Sequence, residues 1–484
     1  MSFASLIFFL FLPVVFAVHW LVPRRRWQNA VLLAASYVFY GWWDWRFCFL
    51  MLASSLIDYA AGLGLASSTS SANRKRILAA AVASNLLILA FFKYFNFFVD
   101  SFVLALAAVG VDVPTSTLNI ILPVGISFYT FQTLSYTIDI YRGEFRARRS
   151  LLDYLTFVSF FPQLVAGPIE RARDLLPQFE SARKFSSDAA REGCRRIIWG
   201  LAKKMIIADS LSTIVDAAFN SPALMNGAEL AVATVAFAFQ IYCDFSGYSD
   251  VAVGTAELFG IRLMRNFAFP YFSQSITEFW RRWHISLSTW FRDYVYVPLG
   301  GNRTSRGRQA RTLMTTAVLS GLWHGAAWHF VFWGGLHGTL LTAERFLRKR
   351  PALKAADIPG GESFVPHPMA VVRIAITFGL VCLGWIFFRA KTLPDALTIC
   401  GRISAAAIDP RFLPSVFEQL NLHARTFGFL GLFVLIEWWQ RRRWNPFAVG
   451  VLPWPIRWAA YTAFFWAILL FGTHHTEEFI YFRF

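Results

Sequence analysis

The feature that most constrains this chain is the recurrence of long apolar runs from Ile7 to Leu470. A run of about 20 apolar residues is long enough to cross a bilayer as a helix. Hydrophobic residues make up 56% of the chain and charged residues only 15%. Because lipid-exposed backbone must satisfy its own polar groups, the repeated runs predict one all-α, polytopic membrane domain over residues 1–484, not several soluble domains.

The positive charge fits this membrane topology. The formal net charge of +17 would by itself also suit nucleic acid, but no basic domain stands apart from the apolar runs. Lys and Arg cluster in short loops, as they do in segments that stay in the cytoplasm and meet anionic headgroups. With the first residue outside, the crossings predicted are residues 3–22, 28–42, 46–66, 77–99, 118–141, 205–219, 229–245, 371–388, 425–440 and 455–472, with a hairpin from 312 to 345.

This alternation places both termini in the periplasm and leaves three segments that do not span. Residues 151–169 are apolar but interrupted by two prolines and a glycine, which predicts a re-entrant segment covered by protein. The basic stretch Arg171–Lys204 is predicted to be cytoplasmic, and the Pro- and Gly-rich residues 351–369 to be a soluble linker. Without an internal repeat, an inverted-repeat transporter is not favoured.

Residues 276–295 predict one amphipathic helix at the cytoplasmic interface. On a helical wheel the aromatic and aliphatic side chains fall within an arc of roughly 120°. Arg281 and Arg282 lie opposite that arc and would face headgroups or an anionic ligand. His284 lies on the apolar side, toward the protein interior, where it could also be a structural histidine bonded to a carbonyl.

The apolar stretch 313–342 contains three histidines, His324, His329 and His337. Their spacing of five and eight residues does not match a zinc motif, and no carboxylate lies between them, so a metal site is not favoured. A titratable side chain at membrane depth is nevertheless a hypothesis about function. At least one of these imidazoles is therefore a candidate for chemistry.

His324 is the best candidate for a catalytic base. The pKa of imidazole lies near neutrality, and burial favours the neutral form that accepts a proton. The small residues Gly321, Gly325, Ala326 and Ala327 would leave room for a passage that opens His324 to both compartments. The alternative is a buried, hydrogen-bonded histidine at a helix break.

Two carboxylates in an apolar run, Asp244 and Asp250, lie six residues apart around Gly247. If the glycine breaks the helix, these carboxylates could cap helix ends or orient a catalytic imidazole. Serine-elbow, P-loop and Rossmann motifs in a matching strand context are absent from the sequence, so a serine hydrolase or a nucleotide-driven pump is not supported.

Five stretches of the chain together resemble the membrane-bound O-acyltransferases (MBOAT). In chain order they are LPVGISFYTFQ (122–132), FPQLVAGPI (161–169), YCDFSGYSD (242–250), RRWHISLS (281–288) and LWHGA (322–326). They are most similar to the bacterial branch typified by the alginate O-acetyltransferase. The resemblance runs in order from about Tyr37 to the carboxyl end.

The resemblance implies a ring-like bundle of about 11–12 transmembrane helices, with re-entrant and interfacial helices and a thin catalytic floor over residues 270–341. His324 matches the near-invariant histidine of the family and His284 its second conserved polar position. His329 and His337 are left without a role. The predicted site comprises the catalytic residues His324 and His284, the supporting residues Trp323, Trp283, Asp244 and Asp250, and the acyl-donor ligands Arg281, Arg282 and Arg303.

The activity implied is transfer of an acetyl group from cytoplasmic acetyl-CoA, with no metal and no permanently bound cofactor. The group would pass across the inner membrane to a periplasmic partner that completes O-acetylation of an exported or cell-surface polysaccharide such as alginate. His324 would act as general base while His284 orients or shares the proton, by direct transfer or through an acyl-enzyme. The alternatives are an acyl-relay subunit for another cell-wall polymer, supplied by a carrier-protein thioester, and a non-enzymatic export component.

Overall fold

The chain is helical throughout the residues that the structure describes. The computed structural model describes residues 1–114, 118, 120–165, 167–347, 359–361, 363–443, 449–473 and 479–480, and these contain helices and loops but no strand. They form two compact units, residues 1–193 with 252–264 and residues 194–251 with the described part of 265–484. The all-α class predicted from the apolar runs is confirmed.

In the first unit, serine N-caps fix the first residue of three helices. Ser5, Ser70 and Ser150 each accept a hydrogen bond from the backbone N–H three residues later, which satisfies a donor that has no partner inside its helix. The helices are α1 Leu6–Leu21, α2 Arg25–Asp44, α3 Arg46–Ser67, α4 Ser71–Leu89, α5 Phe95–Ala107, α6 Ile126–Arg142, α7 Leu151–Ser159, α8 Phe161–Leu164 and α9 Ala172–Glu180.

Two buried carboxylates tie the helices of this first unit together. Asp153 on α7 accepts hydrogen bonds from Asn29 (2.6 Å) and Arg25 (3.0 Å) on α2. Asp58 on α3 accepts a bond of 2.8 Å from the amide of Asn85 on α4. Because buried polar groups cost free energy unless they are bonded, these pairings fix which helix faces meet.

The later helices begin with α10 Ser187–Ala202, which continues through the π-helical turn Lys203–Ala208 into α11 Asp209–Asn220. The remaining helices are α12 Gly227–Leu258, α13 Ile276–Arg282, α14 Ile285–Phe291, α15 Arg306–His324, α16 Trp328–Leu347, α17 Pro368–Arg389, α18 Leu393–Ala407, α19 Phe412–Leu422, α20 Ala424–Gln440 and α21 Trp454–Phe471. α15 and α16 form the predicted hairpin around Gly325.

Four described helical stretches are long and apolar enough to cross a membrane: α3, the continuous stretch 71–107, α12 and α17. The pair α19 and α20, bent by 93°, is a fifth candidate. An integral membrane protein is therefore confirmed, whereas the larger number of spans stays a prediction.

The stretch 151–169, predicted not to span, breaks at Phe160 into helices of nine and four residues, each too short to span. This agrees with the prediction, whereas other helices were missed. Helices α18 and α19 were not predicted, because they are short and carry no long apolar run. Most of the predicted linker 351–369 lies outside the described residues.

The break predicted at Gly247 is wrong, because α12 runs through it without interruption. Gly247 instead permits a close crossing of α10 and α12. A Cβ built on Gly200 would lie 2.4 Å from the carbonyl oxygen of Gly247, and a Cβ on Gly247 would lie 2.6 Å from the carbonyl oxygen of Gly200. Small residues let helix backbones approach to this distance in membrane proteins.

This crossing predicts opposite outcomes for the same substitution at two helical glycines. Gly200→Ala places a methyl group against the backbone of α12, and overpacking of this kind costs about 1–3 kcal/mol. Gly401→Ala on α18 meets no atom of the described residues within 4 Å. There the better helix propensity of Ala should stabilise the protein by about 0.5–1 kcal/mol. Thermal unfolding of the two variants in detergent measures both effects, and equal melting temperatures would contradict the close crossing.

Candidate active site

His284 does not lie on one continuous helix, contrary to the prediction for residues 276–295. α13 ends at Arg282 and α14 begins at Ile285. Between them His284 adopts the left-handed conformation, with φ 43° and ψ 56°. Phe269 is the other described non-glycine residue with positive φ. Such conformations cost about 1–3 kcal/mol and persist where the surroundings enforce them, often at functional sites.

His324 is the last residue of α15, at the turn that leads into α16. The room predicted beside it is filled by the partner helix of the hairpin. A Cβ on Gly321 would lie 2.2 Å from the carbonyl oxygen of Phe330, and a Cβ on Gly325 would lie 2.0 Å from the Phe330 ring. These glycines therefore allow α15 and α16 to pack closely instead of leaving space for substrate.

The structure brings His284 and His324 together, and we call them the histidine pair. Their ring centroids are 6.5 Å apart, although 40 residues separate them along the chain, counting from 284 to 324. Hydrogen bonds of about 2.6–3.2 Å on each side would allow one oxygen atom to bridge two imidazoles at such a separation. The arrangement is therefore suited to moving a proton to or from a hydroxyl group.

Aromatic rings enclose the histidine pair. Phe245 of α12 meets the His284 ring edge-to-face at 4.6 Å. Trp323 lies 5.9 Å from His284 and 5.0 Å from His324. Trp333 and Phe388 approach His324 at 5.1 and 5.2 Å.

This enclosure sets the protonation of His284. His284 is 0% exposed and His324 is 4% exposed. His284 lies between two seven-residue helices, outside the candidate spans, and burial lowers the pKa of its imidazole to about 3. It is therefore neutral at physiological pH, with one ring nitrogen able to accept a hydrogen bond.

A passage to His324 stays a prediction. An apolar cavity of about 170 Å³ lies between the end of α10, α20 and α21, and its lining contains none of the predicted site residues.

Trp283, predicted to support the site, is 1% exposed and packs at 4.9 Å from Trp385 and 5.0 Å from Phe267. The other two histidines of the apolar stretch have structural contacts. Nδ1 of His329 lies 3.0 Å from the carbonyl oxygen of Phe387, and Nδ1 of His337 accepts a bond of 3.3 Å from Trp280.

Within the described ranges, no group of three or more His, Cys, Asp or Glu side chains could hold a metal ion.

The three arginines predicted to bind an anionic donor differ in exposure. Arg282 is 9% exposed, and its Nε lies 2.9 Å from the carboxylate of Glu278. The guanidinium is therefore already paired inside the protein, and its assignment as a donor ligand stays a prediction. Arg281 and Arg303 are exposed and remain candidates.

Asp244 is buried and Asp250 half-buried, and each is an ion-pair partner within the continuous helix α12, so neither caps a helix end. Their role in orienting a catalytic imidazole stays a prediction. The ammonium of Lys204 lies 2.8 Å from Asp244 and 2.7 Å from Asp209. The ammonium of Lys203 lies 2.7 Å from Asp250. Both lysines belong to the stretch predicted to be cytoplasmic, and they are buried, at 4% and 9% exposure. The side of the membrane on which they lie stays a prediction. The signal that could have found them is the presence of aspartates in an apolar run, which require buried partners.

The approach of the last described residues to the site was not predicted from the sequence. The backbone N–H of Ile480 donates a bond of 2.7 Å to Asp244. The ring of Phe479 lies 5.7 Å from Phe245, the ring that contacts His284. No periodicity signal marks this contact, because it depends on the tertiary path of the chain.

The family model of the membrane-bound O-acyltransferases (MBOAT) matches residues 42–357 of this chain. The match includes α13 to α16 and both members of the histidine pair.

Individual relatives match over most of the chain. The probable alginate O-acetylase AlgI of Azotobacter vinelandii is 45% identical, over 82% of this chain and 76% of its own length. The peptidoglycan O-acetyltransferase of Helicobacter pylori is 33% identical, over 81% and 78%. The teichoic acid D-alanyltransferase of Bacillus subtilis is 30% identical, over 56% and 70%. The names of these three relatives state three different polymers and two acyl groups, acetyl in the first two and D-alanyl in the third.

Proposed function

Since this chain belongs to the membrane-bound O-acyltransferase family, we propose that it transfers acetyl groups for the O-acetylation of an exported or cell-surface polysaccharide. The polymer proposed first is alginate, because the alginate O-acetylase is 45% identical, against 33% for the peptidoglycan enzyme. The donor proposed is cytoplasmic acetyl-CoA. The acetyl group would leave the inner membrane toward a periplasmic partner.

The observation that carries this proposal is the 6.5 Å separation of the rings of the histidine pair. In the proposed reaction, the imidazole of His324 accepts the proton of the acceptor hydroxyl while the hydroxyl oxygen attacks the thioester carbonyl. The carbon–sulfur bond breaks, and the CoA thiolate leaves and takes up the proton. His284 orients or shares that proton, and a positioned base of this kind contributes about 10²- to 10⁴-fold.

The surroundings of the pair support acyl transfer over hydrolysis. Side chains of Phe245, Trp323, Trp333 and Phe388 cover the two imidazoles and would keep bulk water from the thioester.

For the donor, we propose that the exposed Arg281 and Arg303 contact the phosphates of CoA, because guanidinium groups bind phosphate through paired hydrogen bonds. The buried Arg282 would act only by holding α13 through Glu278.

A second candidate function is favoured by the similarity to the teichoic acid D-alanyltransferase of Bacillus subtilis. Here the chain would be an acyl-relay subunit that takes its acyl group from the thioester of a carrier protein. Exposed arginines would suit an acidic carrier as well as CoA.

Inverted membrane vesicles that contain the protein separate the two donors. We expect radiolabelled acetyl-CoA alone to transfer label to a polysaccharide acceptor in the vesicles. Arg281→Gln should raise the KM for acetyl-CoA several-fold with little change in kcat, because it removes a donor contact distant from the reacting atoms. The matched control is Arg76→Gln, an exposed arginine on α4. Labelling that requires an acylated carrier protein would instead support the relay function.

A further inference from the structure

The left-handed conformation of His284 has an unusual consequence for the start of α14. His284 occupies the N-cap position of this helix, but its side chain makes no capping hydrogen bond. The first N–H groups of a helix have no partner within the helix, and the side chain of the N-cap residue normally satisfies one of them. At α14 the cap must therefore come from elsewhere in the chain.

Asn266 supplies that cap from a separate segment. Its backbone oxygen accepts a bond of 2.8 Å from the N–H of Ile285, the first residue of α14. Its side-chain oxygen accepts bonds from Ser286, 3.3 Å from the backbone N–H and 2.8 Å from the hydroxyl. One residue thus satisfies the two N–H groups that directly follow His284.

Residues 266–268 also bond to Arg282, the last residue of α13, and to α12. The N–H of Ala268 donates a bond of 2.9 Å to the carbonyl of Arg282, so the chain is held on both sides of residues 283 and 284. The amide nitrogen of Asn266 donates a bond of 3.1 Å to the hydroxyl of Ser249. Ser249 lies one helical turn after Phe245, the ring that packs on His284.

Burial makes these bonds costly to lose. Asn266 is 2% exposed, Ser286 0% and Ser249 4%. The cost of leaving a buried polar group without its partner is comparable to the cost of the left-handed residue itself. The bonds of Asn266 are therefore strong enough to decide the conformation of residue 284.

We propose that Asn266 is the positioning residue of the histidine pair: it caps α14 in place of His284, holds His284 in the left-handed conformation and so directs its imidazole toward His324. This inference rests on the proposed role of His284. Because Asn266 provides the cap, the imidazole is released from the local capping role and can serve the site.

The structural test is to determine the structure of the Asn266→Ala variant. We expect φ at residue 284 to leave the positive region and the rings of the histidine pair to move apart. Retention of the left-handed conformation with both rings in place would overturn the proposal.

The kinetic test compares Asn266→Ala with a matched control, Asn85→Ala. Asn85 is 1% exposed and its amide bonds buried side chains, but it lies in α4 of the first compact unit, and neither printed bond involves a residue of the predicted site. We expect Asn266→Ala to lower kcat by about 100-fold with the KM for acetyl-CoA nearly unchanged, because misplacing a catalytic group by about 1 Å has an effect of this size. Asn85→Ala should lower the melting temperature and leave kcat unchanged. Equal kcat values in the two variants would show that Asn266 has a structural role and does not position the histidine pair.

A further pair of variants separates this proposal from the proposed function. Ser249→Ala removes only the link to α12 and should reduce kcat less than Asn266→Ala does. If His284 moves in the Asn266→Ala structure but acetyl transfer is unchanged, the positioning role stands and the catalytic role of His284 fails. Full activity of His284→Asn would likewise exclude a catalytic role for His284, since Asn tolerates the left-handed conformation and would leave the backbone in place.

Discussion

Replacing His324 with Ala or Gln is expected to reduce acetyl transfer by about 10²- to 10⁴-fold, the contribution typical of a positioned general base. The imidazole is 4% exposed and lies 6.5 Å from that of His284, so no solvent base can take its place without rearrangement. Gln fills most of the volume of His but cannot accept a proton at neutral pH. Equal losses in both variants would therefore reflect lost chemistry and not a packing defect.

The control for this experiment is His329→Ala on the neighbouring helix. His329 is 8% exposed and contacts the carbonyl of Phe387, so its loss should cost about 1 kcal/mol of stability and leave acetyl transfer intact. Membrane vesicles with equal amounts of each protein, measured by immunoblot, provide the comparison. Activity within a few-fold of the parent in His324→Gln would remove His324 from the mechanism.

The second large effect is expected at Lys204. Its ammonium lies within 2.8 Å of both Asp244 and Asp209, which are 2% and 5% exposed. Lys204→Met leaves two buried carboxylates without their cation. Removing one partner of a buried ion pair typically destabilises a protein by about 3–5 kcal/mol, because the remaining charge is desolvated and unpaired. We expect a large fall in melting temperature and little folded protein in the membrane.

Neutralising the carboxylates as well should reverse most of this loss. In Lys204→Met with Asp209→Asn and Asp244→Asn none of these three positions carries a charge, and the amide at position 244 can still accept the bond from Ile480. Lys75→Met, at an exposed position on α4, should shift stability by less than about 0.5 kcal/mol. If the triple variant melts no higher than Lys204→Met alone, the electrostatic explanation is wrong.

Sequence patterns were sufficient to predict the all-α membrane class of the protein and one member of the histidine pair, His324. Apolar runs as long as α3 and α17 have few other stable arrangements, because only a helix satisfies its own backbone in lipid. His324 stood out for a related reason: an imidazole in an apolar stretch is costly unless it is used. The hairpin of α15 and α16 followed from the glycine that interrupts that stretch.

The same patterns failed wherever a residue depended on a distant partner. Helical periodicity assumes that every residue of 276–295 has the same backbone conformation. Because His284 is left-handed, the helical wheel no longer gives the correct side-chain directions after residue 284. The glycine at 247 looked like a break because the sequence does not show that Gly200 crosses there. The charge of Arg282 is visible in the sequence, but its burial is not, even though its partner Glu278 lies only one helical turn earlier.

What the sequence alone determined is the helical membrane architecture and the presence of titratable side chains inside it, since both follow from local composition and length. Only the tertiary structure decided which of those side chains meet: His284 with His324, Lys204 with Asp244, and Asn266 with the start of α14. The physical reason is that hydrogen bonds and ion pairs act over a few ångströms between groups far apart along the chain. Their partners are therefore selected by packing and not by any repeat in the sequence.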